Sequence, residues 1–504
     1  MPGKARSQFE WINLDQNPSR SNKATQRKIR AHVAARKKPD GWERRNTRQP
    51  PVFFNTHESP NNNSGRLQNA APISPNTNNA AIGGAAFSGE DEPEDLSQMV
   101  DVEVEPQLSQ AMSMTGLDLL RAETGIDILR LSVLTEVHSN QVASSALTEQ
   151  PDQLIILFRL PKKSYLSFMP SRYGHSSCLD DAIRCVATRA KSVLTRQAPD
   201  RKELFLYGTA LRSLQIAVND PGGAWKNPDV LCATQILSIF EVLRPSHAQA
   251  WSQHIIGASR LIYARGPSGF TSDFEKSLFL TWTGPFVYEC IMGNEACFLE
   301  EELWQDLLRS FIKPHDLFSP TSHIAISLTC ILARLPGLLK KVSVAVDDPS
   351  SMSHEDLSEQ RRSIRIFRED LLRWRAKYDS VLLRSNSRAD HFAPGEDLRF
   401  ELLGFSYGIW AVGCRILSSI WMESMELLED DAVTYAALML DFARDIPPER
   451  HCTKFFLRQK AEVCKGILAT TELWRDRSDT SGSIVSKNAF RAWCSSIPGR
   501  RVFL

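Results

Sequence analysis

Ten cysteines and eleven histidines are the residues of this 504-residue chain best suited to metal or nucleophilic chemistry. Their spacing favours neither. A tetrahedral zinc site needs close pairs such as C-x-x-C, so that thiolates converge on one ion, and no such pair occurs. The first cysteine is Cys178. Cys178 and Cys185 are seven apart, as are Cys290 and Cys297, and neither pair has a third and fourth ligand nearby. His175 beside Cys178 is the nearest approach to a mixed site. His254, and His451 next to Cys452, are conceivable general bases, but local spacing fixes no partner for either. Phosphate-cradling glycine loops, a G-x-S-x-G elbow and an H-E-x-x-H helix are all missing. The expectation is a protein that is not an enzyme and uses no metal or cofactor. A site assembled from distant residues is the remaining route to catalysis.

The other concentrated chemistry is positive charge. Residues 1–50 carry thirteen Lys/Arg against four Asp/Glu, a net of +9, whereas the whole chain sums to +1. Arg27, Lys28, Arg30, Arg36, Lys37 and Lys38 crowd a short stretch, with Arg44 and Arg45 just beyond. Ser21 to Lys38 reads as a helix capped by Ser21 or Asn22 and stopped by Pro39, with only Ile29 and Val33 as an apolar stripe. So thin a stripe among repelling cations predicts order only on an anionic partner. Three readings stay open: a nuclear-import signal, a phosphate-contacting arm, or a solvated tail. DNA binding from this arm alone is expected to be weak, salt-sensitive and poorly sequence-specific, because it rests on phosphate neutralisation.

Residues 51–115 have a linker composition of Asn, Ser, Pro, Ala and Gly that cannot bury a core. Between Arg66 and Arg121 there is no Lys or Arg. There Glu90, Asp91, Glu92, Glu94 and Asp95 precede Asp101, Glu103 and Glu105, interleaved with Leu96, Val100, Val102, Val104 and Leu108. A disordered activation segment has this composition, and so does a plain charged linker.

Residues 116–504 read as an all-α domain of antiparallel helices. Leu204, Tyr207, Leu211 and Leu214 recur at helical intervals before Pro221-Gly222-Gly223. Asn227 and Pro228 start a second helix with Val230, Ala233, Leu237 and Phe240 inward, limited by Pro245. A third runs from about Ala248 to Ala264, placing Trp251, Ile255, Ala258 and Leu261 inside, with Gly266-Pro267 as its stop. Farther on, Ile364, Phe367, Leu371, Trp374 and Tyr378 form another stripe, and Leu403 to Leu428 and Ala432 to Phe442 two more. Ser350 to Gln360 and Arg384 to Glu396 read as polar loops. Trp251, His254, Trp282 and Trp374 are candidates to line a pocket, although core packing suits their spacing better.

The most membrane-like window, Leu402 to Trp421, contains Arg415 and reads as a buried helix. The polar, basic start of the chain lacks the apolar run of a secretory signal. Cysteines dispersed through apolar segments fit reduced thiols of the cytosol or nucleus.

Several blocks resemble the regulatory domain of fungal-specific transcription factors. They are Tyr207-Gly208-Thr209-Ala210-Leu211; Asp229 through Glu241; Trp251, His254 and Gly257-Ala258-Ser259-Arg260-Leu261; and Arg265-Gly266-Pro267. Upstream, Phe168 to Gly174 and Cys178-Leu179-Asp180 are similar to a block of a subset of that family, and downstream Cys297-Phe298-Leu299 and Trp304 continue the likeness. Phe9-Glu10-Trp11-Ile12 and Arg27 to Val33 look like the start of members without a zinc cluster. The resemblance implies a helical regulatory domain, nuclear residence, protein partners in transcription and control of genes such as a metabolic cluster. With no cysteine before Cys178, the zinc-dependent base-reading module usual in that family is absent, so none of its DNA contacts carries over.

Overall fold

A computed structural model describes residues 116–139, 143, 155–158, 164–198, 200–247, 249–386, 396–476 and 484–500. The basic arm with Arg27, Lys28, Arg30, Arg36, Lys37, Lys38, Arg44 and Arg45 lies outside the described residues, as does the linker 51–115. The protein is all-α: the described residues hold fifteen α-helices and several 3₁₀ turns, and no strand.

The first group of helices is α1 (Gly116–Thr124), α2 (Ser177–Leu194), α3 (Arg201–Val218), α4 (Pro228–Leu243), α5 (Ala250–Arg265) and α6 (Asp273–Gly293). Helix α4 begins where Asn227 accepts the amide of Asp229 and Pro228 pre-sets the first turn. Every residue from Asp229 to Leu243 is buried. A helix enclosed on all sides has no use for a polar face, and α4 packs on α2, α3 and α5. Helix α5 ends at Gly266, whose φ of +72° suits glycine. Helix α6 starts from a capping box in which Ser272 and Glu275 bond reciprocally.

The second group is α7 (Glu302–Ser310), α8 (His323–Leu332), α9 (Leu335–Asp347), α10 (His354–Asn386), α11 (Glu396–Ser418), α12 (Met425–Asp445), α13 (His451–Ala469), α14 (Thr471–Arg475) and α15 (Lys487–Ser496). Helices α11, α12 and α13 pack mutually, α10 lies against α8 and α11, and α15 against α13. Ile364, Phe367, Leu371, Trp374 and Tyr378 are all buried on α10, as their spacing requires.

Three local expectations shift. On α3 the inward face is rotated: Leu204 is exposed while Glu203 is fully buried, because Arg189 and Arg244 both reach Glu203 Oε2 at 3.3 Å. The stretch Leu403 to Leu428 is not one helix but α11, a turn at Met422–Ser424, and the start of α12. Ser350 to Gln360 is a loop only as far as Ser353, which exchanges hydrogen bonds with Asp356 and caps α10. Polar composition hid that start, since a first helical turn is itself polar.

The apolar window 402–421 falls largely within α11. Two segments, His323–Asp347 and Asp397–Ser418, are long and apolar enough to cross a membrane by length and composition, and 72% of the second window is buried inside the protein. Arg415 within it has no exposed side-chain surface and pairs with Glu429 of α12.

Candidate ligand-binding cavity

The blocks that carry the family resemblance are tied together by polar contacts. Arg172, just after the 3₁₀ turn Tyr165–Ser171, bonds Asp229 at the start of α4 at 2.6 Å and lies 4.0 Å from the centroid of Phe274. Asp180 of α2 accepts the amide of Gly174, whose φ is +94°. Tyr207 of α3 stacks on Phe240 of α4 at 4.3 Å, donates its hydroxyl to Glu241, and lies 3.1 Å from His254 Nε2 of α5. Glu241 also accepts the amide and hydroxyl of Ser246, at 2.7 and 2.8 Å. Burial raises the Glu241 carboxyl above its ordinary range and lowers His254 to about 4, so the imidazole is neutral near pH 7. Downstream, Phe298 and Trp304 meet edge-on at 4.9 Å, and Tyr263 of α5 packs against both. These groups are close enough for proton transfer, but Glu241 and His254 are 0% and 3% exposed. The cluster is a buried fastening between three helices.

Open space lies elsewhere, between the two helical groups. A cavity of about 80 Å³ is bounded on one side by His138 and by Gly284, Val287, Tyr288 and Ile291 of α6. Its other walls are Leu335 and Leu339 of α9, Phe405, Ile409 and Val412 of α11, Val463 of α13, and Trp493 and Ile497 at the end of α15. A β-carbon on Gly284 would strike the His138 ring, so this close approach of α6 requires glycine.

Few polar groups enter, and most are committed. Gln459 of α13 accepts the amides of His138 and Ser139 at 2.8 and 3.2 Å, pinning that segment to the wall. The Tyr288 hydroxyl bonds with Ser139 Oγ at 2.8 Å and with the Pro498 carbonyl, which can only accept, at 3.1 Å, and burial pushes its hydroxyl up to about 12. His138 packs edge-on against Phe456 and is held well below its ordinary value by burial and by the Lys460 charge, hence neutral. Lys460, 8% exposed, lies 3.8 Å from the Phe456 centroid. The indole N–H of Trp493 is buried and has no acceptor among the described residues. No carboxylate stands among the described lining residues. The site is therefore a recess whose walls are almost wholly apolar.

None of Trp251, His254, Trp282 and Trp374 lines this cavity. All four are buried in the core, and Trp374 donates its indole N–H to the Ile324 carbonyl at 2.9 Å. The basic candidates of the arm lie outside the described residues. Sequence reasoning missed His138, Tyr288, Lys460 and Trp493, which converge from far apart in the chain. One signal was present: Gln459-Lys460 interrupts the apolar run of α13 with two polar residues that are both buried. All ten cysteines are free thiols, and among the described residues no group of three or more His, Cys, Asp or Glu is placed to hold a metal.

Comparison with known proteins gives little beyond this. No family model and no solved structure matches the chain. It is similar to an uncharacterized protein of Emericella nidulans, 30% identical over 171 residues, which amount to 33% of this chain and 36% of that protein. The likeness thus spans about a third of that relative's length.

Proposed function

We propose that this chain is a nuclear transcriptional regulator of fungal type, with a metabolic gene cluster as its target class, acting through residues 116–504 without a zinc cluster of its own. One observation carries the reading. The residues that resemble the fungal regulatory domain form one connected unit, with Tyr207, Glu241 and His254 from three successive blocks meeting in a single buried cluster. The segregation of charge supports it: a +9 arm, whose Arg27, Lys28, Arg30, Arg36, Lys37, Lys38, Arg44 and Arg45 serve import or phosphate contact, precedes an acidic segment suited to recruiting transcription proteins. A fluorescent fusion is expected in the nucleus, and chromatin immunoprecipitation is expected to recover discrete loci. A cytoplasmic fusion together with unchanged transcripts on deletion overturns the proposal.

The absence of any cysteine before Cys178 favours a second reading, a co-regulator that reaches DNA through a partner protein. Gel shift of the purified protein over a salt series separates the two. Binding lost equally for all sequences near physiological salt supports the co-regulator. An enzyme is the weakest reading: His138 and Tyr288 in the cavity do carry shifted pKa values, but burial keeps both neutral, and the tyrosine hydroxyl is committed to Ser139 and Pro498.

A further inference from the structure

The cavity between the two helical groups joins open space to walls that offer little polar contact. Val287, Leu339, Ile409 and Val412 are typical of its lining. The polar side chains at its edge are turned to the protein. Gln459 holds the amides of His138 and Ser139 and donates to the Phe455 carbonyl at 3.4 Å. The Tyr288 hydroxyl is taken by Ser139 and Pro498, and Lys460 is engaged over the Phe456 ring. The Trp493 indole N–H is buried behind the wall. A water needs about two to four polar partners to settle in a cavity, so this one favours an apolar occupant.

The three glycines of α11 carry the argument further. Glycine inside a helix costs stability relative to alanine, and at two of the three a neighbour demands it. A β-carbon on Gly404 would come within 2.8 Å of Phe442, and one on Gly413 within 3.3 Å of Phe367. Gly408 is different: a β-carbon there would meet only Cys464 Sγ, at 3.7 Å, an ordinary contact. Gly408 borders the cavity, and what its missing methyl provides is volume. Met292, unbranched and adaptable, borders the same space and lets the wall close on an occupant. Size narrows the choice. About 80 Å³ is about half of a ~150 Å³ cavity that admits benzene, so a molecule of roughly three or four carbons fits.

We propose that this cavity is a binding site for a small neutral hydrocarbon of roughly three or four carbons, without any hydrogen-bonding group. Such a molecule restores the dispersion contacts that side chains facing an open cavity forgo. The site goes beyond the regulator reading and does not depend on it.

The test is ligand-observed NMR titration of the purified full-length chain, in sealed tubes, with isobutene, acetone and diisobutene. Isobutene and acetone share one branched shape and differ only at one end, a methylene in the first and a carbonyl oxygen in the second. Saturable binding of isobutene is expected. Acetone is expected to bind at least about tenfold more weakly, because its oxygen would lose water without gaining a donor. Diisobutene, twice the size of isobutene, is expected not to bind. Gly408→Ala places a methyl in the space without strain and is expected to lower isobutene affinity at least about fivefold. Gly208→Ala, on α3, is the control: its methyl meets nothing within 4 Å and Gly208 is no part of the cavity, so isobutene affinity is expected to stay at the parent value. The proposal is overturned if isobutene shows no saturable binding, if acetone or diisobutene binds as tightly, or if Gly408→Ala binds isobutene like the parent and Gly208→Ala.

Discussion

Two buried polar centres hold the two helical groups, and they solve the same problem differently. In the first, Tyr207, Glu241, Ser246 and His254 satisfy one carboxylate with neutral donors, two of them from the loop that follows α4. In the second, Arg415 of α11 meets Glu429 of α12 as a dry ion pair. Arg415 also donates to Thr470 Oγ1 and the Ile467 carbonyl, each at 3.0 Å, and its guanidinium lies 4.2 Å from the Trp474 centroid. Hydrogen bonding to neutral groups leaves little unpaired if one bond is lost. A dry ion pair concentrates the risk in two residues, because removing one strands a charge. The Arg415 guanidinium also lies 5.8 Å from the ring centroid of Trp493, a residue of the cavity wall.

The contrast is broken most severely at Arg415. Arg415→Ala is expected to cost about 3–5 kcal/mol in urea denaturation, because Glu429 stays buried without its partner. The double variant Arg415→Met, Glu429→Leu is expected to recover most of that loss, since apolar replacement removes both desolvation penalties. If the double variant is as unstable as the single, the ion pair is a net stabiliser and the contrast is wrong.

In the first centre Tyr207→Phe removes one hydroxyl from between Glu241 and His254. A loss of about 1–3 kcal/mol is expected in the same measurement, smaller than at Arg415 because Ser246 still serves the carboxylate.

Acid titration of stability sharpens the comparison further. His254 falls from its ordinary 6.5 to about 4 through burial, so its contribution is complete above pH 6.5 and is lost as pH drops toward 4. Burial raises Glu429 from 4.5 to about 7 against the pull of Arg415. Its contribution is therefore complete below pH 4.5 and is lost as pH rises through 7. Each slope is at most about 1.4 kcal/mol per pH unit, and the two have opposite sign. Glu241, also raised by burial, opposes His254 within its own centre, so each variant is compared with its parent. Relative to the parent, His254→Gln is expected to lose less stability between pH 6.5 and 4, and Glu429→Gln to lose less between pH 4.5 and 7.

The smallest effect tests the frame around the first centre. Asn227→Ala removes the cap of α4 and is expected to lower stability by about 1 kcal/mol without altering either pH slope. A changed slope would mean that the cap and the Glu241 centre are coupled.

Much of the helical framework was legible because its signals are local. Asn227, Pro228 and Gly266 set ends within one turn of themselves, and the α10 stripe from Ile364 to Tyr378 buries as its spacing requires. The rotation of α3 was not legible. Its apolar period put Leu204 inside, but two arginines from other elements make burial of Glu203 favourable. The cavity was still less visible, because Gln459-Lys460 looks like an ordinary polar step on a helix until the facing walls are known.

The amino-acid sequence alone determined an all-α chain, the positions of most helices, the segregation of charge into a basic arm and an acidic linker, and the absence of any zinc cluster in the first 177 residues. Each follows from composition or from spacing within a few residues. Only the tertiary structure decided that Arg415 would meet Glu429, that Tyr207, Glu241 and His254 would share one centre, and that His138, Lys460 and Trp493 would line one cavity. Those meetings depend on how whole helices pack, and packing is set by the summed burial of many distant side chains, which no local pattern encodes.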